Sequence, residues 1–283
     1  AYMKGPFGIS THLYHADRLS RDHLAEIASY GFEKIELFAT RTHFDYHNPA
    51  AVADLQQWLA ETGLELHSVH APISESLVGG RWGPALSIAS ADADSRARAL
   101  QETEQALFIA RRLPFTALVL HLGIPRTQGP SAGENSREAA RRSVETLQEA
   151  SAPLGVRIAV EVIPNELSRA PSLVHFVETL ANPDGVGICL DFGHAHMDGD
   201  LIEALETVAE HLMTTHVHDN RGATDDHLVP FDGTIDWPGA LTSTQKVGYD
   251  GPMMLELAAH GSAADTLRKA RKARERMERH LSG

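Results

Sequence analysis

Residues 157–164, RIAVEVIP, read as a buried β-strand interrupted by one carboxylate, Glu161. Burying an unpaired carboxylate is costly, so such a residue needs a partner. The same interruption returns in GICLDFGH (187–194) with Asp191 and His194, in LMTTHVHD (212–219) with His216, and in PMMLELAA (252–259) with Glu256. Polar groups at the ends of successive strands meet in one place if the strands are parallel and close into a ring. A doubly wound open sheet would spread them along an edge. The expectation is therefore a (β/α)8 TIM barrel, in which the C-terminal strand ends share one mouth.

Working outward, short β-like runs alternate with longer helical ones along the whole chain. The strands are expected at Gly8–Ser10, Ile35–Ala39, Glu65–His70, Ala117–Leu122, Arg157–Ile163, Gly187–Phe192, Met213–His218 and Met253–Leu257. Helices are expected near Arg21–Tyr30, Pro49–Thr62, Asp94–Leu113, Gly133–Ala152, Pro171–Leu180, Leu201–His211 and Trp237–Lys246, with a charged helix from about Ser262. Asn48 before Pro49 reads as an N-cap with proline in the first turn. Gly31, Gly63, Gly155 and Gly185 fall where a helix end can use a left-handed residue. The stretch Glu75–Ser90 reads as a loop over the mouth, with Trp82 either a lid residue touching substrate or an anchor for the loop. Residues 1–283 are read as one domain.

Composition narrows the function classes. A formal net charge of −13 disfavours a broad nucleic-acid face. No apolar run approaches the roughly 20 residues that span a bilayer, and AYMKGPFGIS lacks a signal-peptide core. The lone Cys189 excludes an internal disulfide framework, fits a reducing, cytoplasmic compartment, and reads as a buried inert thiol. There is no P-loop, no GxGxxG fingerprint and no nucleophile elbow around Ser68, Ser74 or Ser76. The terminal RKARKARERMERH mixes both signs at helical spacing, the pattern of a solvated face.

Three oxygens and one nitrogen from Glu161, Asp191, His216 and Glu256 suit one divalent ion, Mn²⁺ or Zn²⁺ first, with Co²⁺ or Mg²⁺ as alternatives. His70, His121, His194, Asp225 and His227 supply either ligands for further metals or hydrogen bonds to the first set and to sugar hydroxyls. His218 faces the same way as His216 in an extended strand and can assist it. His12, His70, Trp82, His194 and Arg221 are candidates for substrate contact, and Glu166 is expected on the rim. The chemistry this set allows is proton transfer on a ketose, sugar phosphate or related polyol ketone. Glu161 and Glu256 take and return a proton beside the carbonyl through an enediolate, and His194 steadies the developing charge. Three clustered zinc ions would instead favour phosphodiester hydrolysis on DNA lacking a base. Dehydration of a polyol ketone, and a non-catalytic sugar-binding barrel, are the remaining alternatives.

These residues resemble the xylose isomerase-like TIM barrels, a group that includes sugar epimerases, hydroxypyruvate isomerases, inosose dehydratases and the endonuclease IV group. The resemblance runs from Gly8 to Ala259. It rests on VEVIPN around Glu161, LDFGHAH from Leu190, HVHDNRG from His216, DDHLVPFDGTIDW from Asp225 and LEL around Glu256. In the ketose epimerase branch, it implies that Glu161, Asp191, His216 and Glu256 bind one Mn²⁺ or similar ion. The two glutamates are then the proton-transfer pair, and His194 touches substrate. In the endonuclease IV branch the same positions, with His70, His121, His194, Asp225 and His227, would bind three zinc ions. One segment departs from the family pattern: PGxG is replaced by PFDG, with Phe231 and Asp232 between proline and glycine. A small sugar-like substrate is the expected partner. A homodimer or homotetramer would be in keeping with the resemblance.

Overall fold

The structure, a computed structural model, describes residues 7–283. Its strands are β1 (Phe7–Ser10), β2 (Lys34–Phe38), β3 (Glu65–His70), β4 (Ala117–Leu120), β5 (Arg157–Glu161), β6 (Val186–Asp191), β7 (Leu212–His216) and β8 (Met253–Leu255). They form one 8-stranded sheet in which β8 pairs in parallel with β1. The ring closes between β7 and β8 just past their ends: Val217 N donates to Met254 O at 2.8 Å and Glu256 N to Val217 O at 3.1 Å. Each expected strand exists, most ending one or two residues earlier than the apolar run that announced it.

The alternation of side chains explains how such apolar strands can carry polar tips. Ile158 and Val160 of β5, and Ile188 and Leu190 of β6, face outward into the main core against the helices. Ala159 and Cys189 face inward, together with Ala117 and Val119. One step further along the inward phase come Glu161 and Asp191. Small residues thus fill the barrel floor and carboxylates occupy its top.

The outer layer consists of α1 (Arg21–Ser29), α2 (Pro49–Thr62), α3 (Ala93–Leu107), α4 (Arg137–Ser151), α5 (Ala170–Glu178), α6 (Phe192–Asp198), α7 (Leu201–Val208), α8 (Trp237–Lys246) and α9 (Ala263–Ser282). Asn48 caps α2 as expected, accepting from Ala50 N at 3.0 Å, and Gly63 ends it in the left-handed region at φ 73°. Gly185 does not take that conformation. α3 is shorter than expected, passing into a 3-10 turn at Phe108–Arg111. α9 buries Leu267, Ala270, Ala273 and Met277 on one stripe and leaves its charges on the other. No helix among the described residues is long and apolar enough to cross a membrane.

Two elements were not expected. The stretch read as a loop contains a hairpin, Leu77–Val78 with Arg81–Trp82. Its turn residues, Gly79 and Gly80, both have positive φ, as a two-residue hairpin turn demands. α6 starts directly on the end of β6, with Asp191 as its cap: Oδ1 accepts from His194 N at 2.8 Å. Gly193 makes this turn feasible, since a Cβ there would stand 2.1 Å from the His218 ring.

Candidate metal centre

Glu161, Asp191 and His216 are the last residues of β5, β6 and β7, and Glu256 directly follows β8. All four are at most 4% exposed. Asp191 and His216 are register partners. His216 Nδ1 abuts Glu161 Oε1 and stands 3.3 Å from Glu256 Oε2 and 3.8 Å from Asp191 Oδ2. One potential ligand group of four residues contains His70 in place of Asp191, alongside Glu161, His216 and Glu256. His70 Nε2 lies 3.8 Å from Glu161 Oε1.

Hydrogen bonding tests whether this set fits a cation. Glu161 Oε1, Asp191 Oδ2, His216 Nδ1 and Glu256 Oε2 are buried, and none makes a hydrogen bond. Each of the four expected ligands thus keeps one buried polar atom without a hydrogen bond. Orphaned buried polar atoms are rare, and a small divalent ion satisfies this set at once.

Carbonyl oxygens only accept, so they fix the histidine tautomers. His70 Nδ1 donates to Ala71 O at 2.8 Å, His194 Nδ1 to Val162 O at 2.8 Å, His227 Nδ1 to Glu256 O at 2.9 Å and His12 Nδ1 to Leu257 O at 2.9 Å. Their other ring nitrogen is left for the site. His216 is held the other way round. Its Nε2 donates to Glu36 Oε1 at 2.6 Å, while Ser68 Oγ donates to Glu36 Oε2 at 2.6 Å. A carboxylate behind a histidine in this way presents the opposite nitrogen, here Nδ1, to a metal. Glu36, fully buried in β2, escaped the sequence reading. Its signal was present in KIELF, the same interruption that marked Glu161.

The remaining candidates form a second layer. His121 Nε2 meets Glu161 Oε2 at 2.5 Å. His194 Nε2 and His227 Nε2 share Asp225 Oδ2, at 3.0 and 3.2 Å. His218 Nε2 lies 2.7 Å from Asp191 Oδ1 and its ring stacks on His227 at 4.1 Å. Asp191, His194 and His218, and again His218, Asp225 and His227, have the spacing of further ligand groups. Arg221 stands apart. It is exposed, its Nη2 donates to Asp232 O at 3.3 Å, and it does not line the mouth cavity. Glu166 is exposed, paired with Arg126 at 3.2 Å, and does not line the mouth cavity.

The field of this cluster is uneven. Burial alone would raise the Glu161 carboxyl, but His216 and His121 hold it well below the carboxylate range. Burial, with Glu161 and Asp191 adding to it, pushes Glu256 up to about 8 against the pull of His216 and His227. A cation among them would remove the reason for that rise. Burial pushes the Cys189 thiol up, which keeps it unreactive.

The chain belongs to a known family: residues 24–280 match the xylose isomerase-like TIM barrel. The inosose isomerase of Bacillus subtilis is 29% identical over 136 residues, covering 42% of this chain and 48% of that protein. Among solved structures, a D-tagatose 3-epimerase-like protein superposes with TM-score 0.79 at 24% identity, covering 98% of this chain and 97% of the other. IolI with a bound zinc atom superposes with TM-score 0.77 at 17% identity, covering 98% and 99%.

Proposed function

We propose that the protein is a divalent-metal-dependent isomerase or epimerase acting on a ketose or related polyol ketone by removal and return of a proton beside the carbonyl. The observation that carries this reading is the double position of Glu161 and Glu256. Both belong to the four-residue ligand group, and both also line the mouth cavity, whereas Asp191 and His216 do not. Two carboxylates, one ending β5 and one just past β8, therefore face the same cavity.

Glu161, Asp191, His216 and Glu256 would hold the ion, with His70 at hand. When bound, a divalent ion supplies positive charge that polarises a substrate carbonyl. Glu161 and Glu256 take and return the proton. His194, fixed by the Val162 carbonyl, orients a substrate hydroxyl, and His12 and His70 line the same cavity. The inosose isomerase and the D-tagatose 3-epimerase-like protein are named for sugar chemistry of this kind. The zinc in IolI supports zinc beside manganese.

The test is elemental analysis of protein purified without a metal-capturing tag, followed by deuterium wash-in over a ketose panel. About one divalent ion per chain and metal-dependent exchange are expected. Glu161→Gln and Glu256→Gln should each lower exchange by about 10²–10⁴-fold. The second ligand layer favours one rival, a phosphodiesterase with up to three zinc ions. Nearly three zinc ions per chain, with cleavage of abasic DNA and no ketose exchange, would replace the first reading.

A further inference from the structure

The mouth cavity has a volume of about 770 Å³, in the upper part of the range for pockets that enclose small organic ligands. Glu161, Asp225, Asp226 and Glu256 reach its wall, and among the described residues no lysine or arginine does. Three other arginines are engaged elsewhere. Arg126 pairs with Glu166 at 3.2 Å, Arg98 with Glu75 at 3.3 Å, and Arg221 donates to a carbonyl. In the hairpin, register pairs Leu77 with Trp82 and Val78 with Arg81. Arg81 therefore shares the outer face with exposed Val78, and Trp82 shares the inner face with buried Leu77. A phosphate or carboxylate entering here would meet histidine rings and carboxylates, but no guanidinium fork or ammonium to pair with it.

Part of the lining is a strip of flat rings. His227 stacks on His12 at 4.6 Å, His12 on His15 at 4.5 Å, and His15 lies parallel to Trp82, 4° apart in tilt and 5.9 Å in centroid distance. The strip begins beside Glu256, to whose carbonyl His227 is bonded, and ends at the rim. Trp82 is 46% exposed there. Leu77, at 7% exposure, already anchors the hairpin, and the exposed part of Trp82 is available to a ligand.

We propose that the substrate is an uncharged keto sugar carrying a second sugar ring in glycosidic linkage. The keto unit lies at Glu161 and Glu256, and the apolar C–H face of the second ring lies on Trp82. The deep end of this assignment rests on the isomerase or epimerase reading, and the outer end on the cavity wall alone.

Deuterium wash-in with the Mn²⁺-loaded protein would compare fructose, fructose 6-phosphate and glucosyl-fructose disaccharides linked through O4, O5 or O6. At least one disaccharide is expected to exceed fructose in kcat/KM by about tenfold, with fructose 6-phosphate below fructose. Trp82→Ala should bring the disaccharide-to-fructose ratio to about one, while Val78→Ala on the outer face of the same hairpin keeps it. Preference for fructose 6-phosphate, or a ratio unmoved by Trp82→Ala, would overturn the proposal. Should no ketose exchange at all, the reaction reading fails and fluorescence judges the outer end separately. Quenching by a disaccharide that vanishes in Trp82→Ala upholds it, and no quenching overturns it.

Discussion

Glu36 shows how one residue can matter without touching substrate. It accepts from His216 Nε2 and thereby turns Nδ1 toward the other carboxylates. Glu36→Gln can present its amide nitrogen to that ring and upset the tautomer. The expected result is a loss of about 10–100-fold in Mn²⁺ affinity by calorimetry, with the fold intact by circular dichroism; unchanged affinity would remove Glu36 from the centre. His43 carries a different consequence. Its Nδ1 donates to Asp17 O at 2.6 Å and its Nε2 meets Thr11 Oγ1 at 3.0 Å, and burial lowers its pKa from the ordinary 6.5 to about 4. Between those values the unfolded chain binds a proton that the folded chain refuses. The stability His43 contributes is whole above 6.5 and lost as pH falls through 4, about 3 kcal/mol in all. His43→Gln should therefore flatten the decline in melting temperature between pH 7 and pH 4. A parallel decline in both proteins would refute the assignment.

The segment after β7 is organised by a single carboxylate. Asp219 accepts from Phe231 N at 3.1 Å, Gly233 N at 3.0 Å, Ile235 N at 3.2 Å and Trp237 Nε1 at 2.8 Å. These bonds fold back the loop that carries Asp225 and His227 and lead into α8. Hydrogen bonds to a charged acceptor are worth about 1.5–3 kcal/mol each, and leaving buried donors unmet adds to the loss. Asp219→Ala should lower stability by at least about 3 kcal/mol in denaturant unfolding, with earlier proteolysis between 220 and 236; an unchanged midpoint would contradict this. PFDG finds its account here. Phe231, at the place of the first family glycine, takes φ 79°. Its ring lies 5.8 Å from Trp237 and under Arg276 at 4.0 Å, contacts that offset the strained backbone. Gly233 remains because a Cβ would stand 2.4 Å from Asn220 O. The hairpin and α6 were harder to read than this loop. The first is a Gly-Gly turn with only two residues on each arm, and the second is a short helix whose glycine and paired histidines read as loop.

Closure of the barrel is what brings β5, β6, β7 and β8 to one mouth, so the centre is a property of the whole ring. An ion held by three or four strand ends binds the folded chain and not the unfolded one, and stabilises it by about 2.7 kcal/mol at a hundredfold excess over its Kd. Chelation should lower the melting temperature by several degrees, and Mn²⁺ or Zn²⁺ should restore it. A melting temperature indifferent to both would argue against any cation at these residues. The barrel itself was legible in the chain. Alternation of apolar runs and helical segments, punctuated by Asn48–Pro49 and Gly63, reports local preferences that each stretch carries alone. The carboxylates were legible for the same reason, since a charge inside an apolar run announces its own cost. The tertiary structure alone decided which nitrogen each histidine turns inward, that Glu36 joins the centre and that Arg221 stays outside it. His216 and Glu36 are 180 residues apart, and His12 and Leu257 are 245 apart. Such pairings depend on register and ring closure, and no local stretch of sequence encodes them.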